Sequence, residues 1–89
     1  MAAVRYDPRK AASNLRAHGV SFADAEQVLF DPLAVTVEDI DAAGEQRFVT
    51  IGRGHGGGLL VVVHTERDGE HRLISARRPT AKERRFYEG

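Results

Sequence analysis

Seven basic side chains crowd the last third of this chain: Arg67, Arg72, Arg77, Arg78, Lys82, Arg84 and Arg85. A guanidinium group offers planar donors that grip a phosphate through two hydrogen bonds at once. Between Arg77 and Glu88 the only carboxylate is Glu83. Cleaving an RNA backbone without metal requires a group that activates the 2′-hydroxyl and a donor for the leaving oxygen. It also requires cations for the charge that develops on phosphorus. Arginines beside a Glu or a His can supply all three. The plainer reading is a solvated helix face, with Glu83 serving only as the capping partner of Thr80.

The four histidines are His18, His55, His64 and His71. No two have i, i+4 helical spacing and no cysteine accompanies them, so neither a metal site nor a cofactor is expected. His18 falls in the last turn of a helix, where an imidazolium suits the negative helix end; catalysis is its other possible role. Glu66 and His71 can meet across a hairpin, as an exposed salt bridge or as an acid–base pair. The loop Gly52–Gly58 has five glycines, enough to bring N–H groups to a phosphate. It lacks the Lys–Ser/Thr of a nucleotide P-loop and opens no helix, so a plain hairpin connection fits better.

The elements that must carry these groups read as follows. Asp7 and Pro8 start a helix that Gly19 ends. Ser21, with Asp24 three residues on, starts a second helix with the stripe Phe22, Ala25, Val28 and Leu29, stopped at Asp31–Pro32. Strands follow at Leu33–Val37, Gln46–Gly52, Leu59–Glu66 and Glu70–Arg77, with a turn at Ile40–Gly44 and a hairpin signal at Asp68–Gly69. Thr80 and Glu83 cap a last helix, whose Phe86 and Tyr87 can fold back on the sheet. The order predicts an α+β fold: two N-terminal helices, a four-stranded antiparallel sheet and a C-terminal helix.

A turn centred on Asp68–Gly69 sets Arg67 opposite Glu70, Glu66 opposite His71 and His64 opposite Leu73. Strict alternation then puts Val61, Val63, Thr65, Arg67, Arg72, Ile74 and Ala76 on one face, expected to lie under the helices. Val62, His64, Glu66, His71, Ser75 and Arg77 share the other, a mixed face suited to a groove.

With 89 residues the chain is expected to be one domain, 1–89. Thirteen basic and thirteen acidic residues cancel overall, yet no Lys or Arg occurs between Arg16 and Arg47, where seven acids lie. That polarity suggests an anionic partner at one end, nucleic acid being the commonest. Without cysteine, disulfides are excluded. The longest apolar run, Leu59–Val63, is far too short to span a membrane, and the start has no secretory pattern, so a cytoplasmic protein is expected.

Several segments taken together resemble the BrnT family of ribonuclease toxins. They are Tyr6-Asp-Pro-Arg-Lys-Ala, Asn14-Leu15 and His18-Gly-Val-Ser-Phe; then Asp31-Pro32, Gly44-Glu45 with Arg47, and Ile51-Gly52; and finally Thr65, Arg67, Arg72, Ile74-Ser-Ala-Arg77, Glu83-Arg84 and Tyr87. The departures are Tyr6 where a Trp is usual, Ala17 where Lys is frequent, and Gly57-Gly58 where an Arg is common. The resemblance implies a compact RelE-like fold and the toxin of a type II toxin–antitoxin pair, an endoribonuclease that cleaves RNA without metal and arrests translation. It implies a BrnA-type ribbon-helix-helix antitoxin as partner, DNA being touched only through that antitoxin. By match, Arg67, Arg72 and Arg77 would hold the phosphate and the transition-state charge, with His18 and Glu83 as acid–base candidates. Arg47, Arg78, Lys82 and Arg84 would bind the rest of the RNA. Two alternatives stand beside this: a basic module that binds nucleic acid or an acidic protein without catalysis, and a degenerate toxin that only sequesters antitoxin.

Overall fold

The computed structural model describes residues 3–39 and 46–89. The elements run β1 (Ala3–Arg5), α1 (Pro8–His18), α2 (Phe22–Glu26), a 3₁₀ helix (Gln27–Phe30), β2 (Val35–Asp39), β3 (Arg47–Arg53), β4 (Leu59–Arg67), β5 (Glu70–Arg77) and α3 (Ala81–Glu88). The turn expected over residues 40–44 and the Gly44–Glu45 motif lie outside the described residues.

Local chemistry sets the helix ends. Asp7 Oδ1 accepts the Arg9 N–H at 2.8 Å, and Pro8 opens α1. Gly19, at φ 69°, donates its N–H to the Leu15 carbonyl and closes it. Ser21 Oγ accepts the Asp24 N–H at 3.0 Å. Asp24 does not return the capping bond. Its carboxylate takes the Gly56 N–H at 3.0 Å and its carbonyl the His55 N–H at 3.1 Å, so α2 holds the glycine loop as an ordered connection. The second helix is shorter than expected. It tightens to 3₁₀ after Glu26, where Asp31 N–H reaches the Val28 carbonyl ahead of Pro32.

In that loop Gly54 is buried, and a Cβ there would stand 2.7 Å from Leu60 Cδ1, 2.9 Å from Asp24 Oδ1 and 3.1 Å from the Asp24 carbonyl oxygen. Gly54→Ala is expected to cost about 1–3 kcal/mol through overpacking. Gly56→Ala, with nothing within 4 Å of its Cβ, should change little. Urea midpoints of the two variants check the contrast.

The sheet order is β1-β5-β4-β3-β2, and β1 runs parallel to β5 with Val4 opposite His71 and Arg5 opposite Arg72. The expected four-stranded antiparallel sheet is thus a five-stranded mixed one. Three residues are too few to show alternation, and what makes them a strand is the free edge of β5 and the packing of Val4 against the core. β1 covers β5 only as far as Arg72. Beyond it, the buried Asn14 of α1 completes the edge: its Nδ2 donates to the Ala76 carbonyl (2.8 Å) and the Val20 carbonyl (3.0 Å), and its Oδ1 accepts the Ala76 N–H (3.0 Å).

The core joins Val20, Phe22, Ala25 and Val28 from the helical layer to Leu60, Val62, Leu73 and Ala76 of the sheet. Burying a side chain the size of Phe22, Val28 or Leu73 contributes about 1.5–3 kcal/mol. We refer to this side of the sheet as the core face and to the other as the open face.

The expected division of faces changes at one residue. Up to Leu73 the hairpin register is as expected: Arg67↔Glu70, Glu66↔His71, Thr65↔Arg72, His64↔Leu73. Next, Val63 pairs with Ser75, which leaves Ile74 as an extra residue in a bulge. Ala76 therefore joins Val62 on the core face, and Arg77 joins Val61 on the open face, the reverse of strict alternation. The helices α1 and α2 cover the face of Leu60, Val62, Leu73 and Ala76, not that of Val61 and Val63. His64 also lies on the core face, only 1% exposed; burial, aided by nearby His71, holds its imidazole down at about 4, so it is neutral at pH 7. No helix among the described residues is long and apolar enough to cross a membrane.

Candidate nucleic-acid interface

The β4–β5 hairpin turns at Asp68 (φ 53°) and Gly69 (φ 78°), two left-handed residues that match the twist of the flanking strands. Residues facing each other across a strand pair lie on the same face. Val61↔Arg77, Thr65↔Arg72 and Arg67↔Glu70 therefore put Arg67, Arg72 and Arg77 together on the open face. Phe48 pairs with His64 on the core face, so Arg47, one residue earlier, points to the open face beside Thr65. Arg5, opposite Arg72 on β1, extends this level of the sheet. Arg5, Arg72, Thr65 and Arg47 thus cross four adjacent strands as one row, with neighbouring strands about 4.8 Å apart.

The partners of these arginines differ. Arg5 Nε donates to Glu70 at 2.9 Å. Arg72 is exposed and makes no hydrogen bond or ion pair among the described residues. Arg47 Nε is buried with no hydrogen-bond partner among them. A buried unpaired donor costs about 1–3 kcal/mol, which an anion at that position would relieve.

Arg77 lies about 13 Å along the sheet from Arg72, at the root of α3. Glu83 grips it with two bonds: Nη1 to Oε1 and Nη2 to Oε2, both 2.8 Å. Arg77 Nη1 also reaches the Arg78 carbonyl at 3.2 Å. Glu83 completes the expected capping box, taking the Thr80 N–H at 2.9 Å while its own N–H reaches Thr80 Oγ1. The guanidinium of Arg77 and the Thr80 N–H outweigh partial burial and hold the Glu83 carboxyl down at about 2. The same bonds raise Arg77 further. Glu83 is thus a fixed carboxylate with little appetite for a proton at neutral pH.

A carboxyl held below its ordinary 4.5 stabilises the fold in full above that value and loses its contribution as pH falls from 4.5 towards 2. Glu83→Gln should accordingly flatten stability against pH over that window, read from urea midpoints at a series of acidic pH values.

Arg78, Lys82 and Arg84 are exposed on or just before α3. α3 lies over the open face of β2 and β3, where Val35, Val37, Val49 and Ile51 face Lys82, Glu83 and Phe86 across a hollow of about 420 Å³. Its far end is anchored by Tyr87, which donates to Asp31 Oδ2 at 2.7 Å and lies under Arg53, 5.7 Å from its ring. Burial works to raise Asp31, but the Tyr87 bond, the N–H groups of Arg53 and Leu33, and the charge of Arg53 together hold it below its ordinary value.

His18 stands apart from these groups. It is exposed at the end of α1, on the layer over the core face, in a hollow with Lys10, Ser13 and Ile74. The fold thus brings Arg47, Arg67, Arg72 and Arg77 to one face and Glu83 to Arg77, but not His18. Sequence reasoning missed Arg5, whose strand is too short to show a pattern, and the Asp31–Tyr87 anchor, which joins residues 56 apart.

A model of the family described as "Ribonuclease toxin, BrnT, of type II toxin-antitoxin system" matches residues 6–83. The chain belongs to the BrnT family. The match runs from the aromatic residue before α1 to the Glu83 that holds Arg77. The fold of this BrnT-family chain is similar to that of the Brucella abortus ribonuclease toxin BrnT, known from a 1.1 Å crystal structure. The similarity has a TM-score of 0.64 at 23% identity and covers 90% of this chain and 99% of that one. Among curated proteins, no match is found.

Proposed function

We propose that this BrnT-family chain is the toxin of a type II pair and an endoribonuclease that cleaves RNA without metal, in the manner of RelE-like toxins, and so inhibits translation in the cytoplasm. The observation that carries this reading is the gathering of Arg47, Arg67, Arg72 and Arg77 on the face opposite the core. RNA lies along that face. Arg67 and Arg72 flank the scissile phosphate and Arg77 reaches towards it from about 13 Å along the sheet; together they stabilise the charge that builds as the 2′-hydroxyl gives its proton to water, its oxygen attacks phosphorus, and the 5′-oxygen leaves with a proton taken from water. Arg47, Arg78, Lys82 and Arg84 hold the flanking backbone. Glu83 acts by aiming Arg77 rather than by taking a proton, and His18, on the other layer, stays outside the reacting group. A BrnA-type ribbon-helix-helix antitoxin neutralises the toxin, and DNA is contacted through that antitoxin alone.

A second reading, a basic module that binds without cleaving, is favoured by one observation: the carboxylate that grips Arg77 is unsuited to proton transfer. Purified chain incubated with RNA in EDTA decides between them. Cleavage products, together with growth arrest on induced expression, are expected. Salt-dependent binding with intact RNA would replace the enzyme by the binding module.

A further inference from the structure

On the core face at the hairpin end, His64 and Glu66 are neighbours two residues apart on β4, and His71 faces Glu66 from β5. One nitrogen of each histidine and one oxygen of the glutamate lie within 4.8 Å of one another. We propose that His64, Glu66 and His71 form a binding site for a divalent transition-metal ion of the zinc class. The site lies on the side of the sheet away from the arginines, and its case is independent of the RNA reading.

Two observations point to a ligand. First, His64 Nδ1 is buried with no hydrogen-bond partner, on a residue only 1% exposed. Its Nε2 is paired with Thr50 Oγ1 at 2.8 Å, and Thr50 with Thr36 Oγ1 at 2.8 Å. The tautomer that donates its Nε2 proton to Thr50 Oγ1 leaves the lone pair on Nδ1, available to an ion. An outer hydrogen bond that fixes ring and tautomer is the usual support for a metal-binding histidine. Second, His71 Nδ1 lies 3.3 Å from Glu66 Oε1, yet the two are not aligned as a hydrogen bond. That separation is the ligand–ligand edge, about 3.3 Å, of a tetrahedral ion with bonds of about 2.0–2.1 Å.

Closing the triangle to that edge needs at most about 1.5 Å of side-chain movement. Glu66, whose side chain is 47% exposed, has the most room to move of the three. His71 is 21% exposed, so an ion can enter past these two side chains. Two imidazoles and one carboxylate suit Zn²⁺, Co²⁺, Ni²⁺ or Cu²⁺ rather than Mg²⁺ or Ca²⁺. Counting from the turn puts the three on one face and Glu66 opposite His71, but helical spacing and cysteine pairs, the usual metal cues, are missing; the hairpin register assembles these ligands. The bound ion would tie β4 to β5 beside the level that carries Arg67 and Arg72, acting on stability rather than on the reaction.

Calorimetric titration of the chelator-treated full chain with ZnCl₂ tests the site, with melting temperature as a second readout. The expected result is one ion per chain, a higher melting temperature with Zn²⁺, and no binding of Mg²⁺. His71→Ala should abolish binding and Glu66→Gln weaken it by about tenfold or more. Both side chains are partly exposed, so both variants should fold, as circular dichroism will verify. His55→Ala, in the glycine loop, should bind as the parent does. Binding well below one ion per chain, or unchanged binding in folded His71→Ala and Glu66→Gln, would overturn the proposal.

Discussion

Arg72→Ala and Arg77→Ala should each slow RNA cleavage by about 10²–10³-fold, the usual cost of removing one donor aimed at transition-state charge. The two losses should differ in kind. Arg72 is exposed and without a partner among the described residues, so its guanidinium is available to the phosphate in ground and transition states alike. Its loss should raise KM as well as lower kcat. Arg77 is locked by Glu83 through two 2.8 Å bonds and arrives already oriented; its loss should fall mainly on kcat. Arg77→Lys should not rescue, because a point charge cannot keep two bonds to Glu83 and still present a planar fork to RNA. Arg16→Ala, exposed on α1, should leave cleavage unchanged. Single-turnover rates in EDTA, with folding checked by circular dichroism, measure the series. Normal cleavage by both Arg72→Ala and Arg77→Ala would end the assignment of roles.

Asn14→Ala is expected to destabilise the protein by about 3–5 kcal/mol, since each buried group left unpaired costs about 1–3 kcal/mol. Three such groups would appear at once: the Val20 carbonyl and both the carbonyl and the N–H of Ala76. Against a total stability of about 5–15 kcal/mol, a loss this size should leave a partly unfolded population at 37 °C. Asn14→Asp should fare no better, because it keeps the acceptor for Ala76 N–H but turns a negative charge on two carbonyls. Ser13→Ala, one residue earlier and exposed, is the neutral comparison. Urea unfolding would refute this account if Asn14→Ala lay within about 1 kcal/mol of the parent.

Features that depend on a few adjacent residues were legible in the sequence. The Asp7 and Ser21 caps, the Thr80–Glu83 box and the Asp68–Gly69 turn each rest on side chains within a turn of the groups they satisfy. Features that depend on distant partners were not. β1 exists because an edge is free on β5, and Asp24 turns its carboxylate from the helix N-terminus to the glycine loop because that loop passes within reach. Arg67 and Arg72 could be placed on one face by counting from the turn. Arg77 could not, because counting assumes an unbroken ladder and the ladder breaks at Ile74. Asn14 read only as part of a family motif; its purpose appears once β5 is seen to outrun β1.

The bulge at Ile74 makes chain length a determinant of the chemistry. Arg72 and Arg77 are an odd number of residues apart and still point the same way. An in-frame loss of the Ile74 codon would restore a regular ladder and turn one of the two guanidinium groups through the sheet, with every other side chain intact. In this strand, natural variation should therefore tolerate exchanges of residue far better than insertions or deletions.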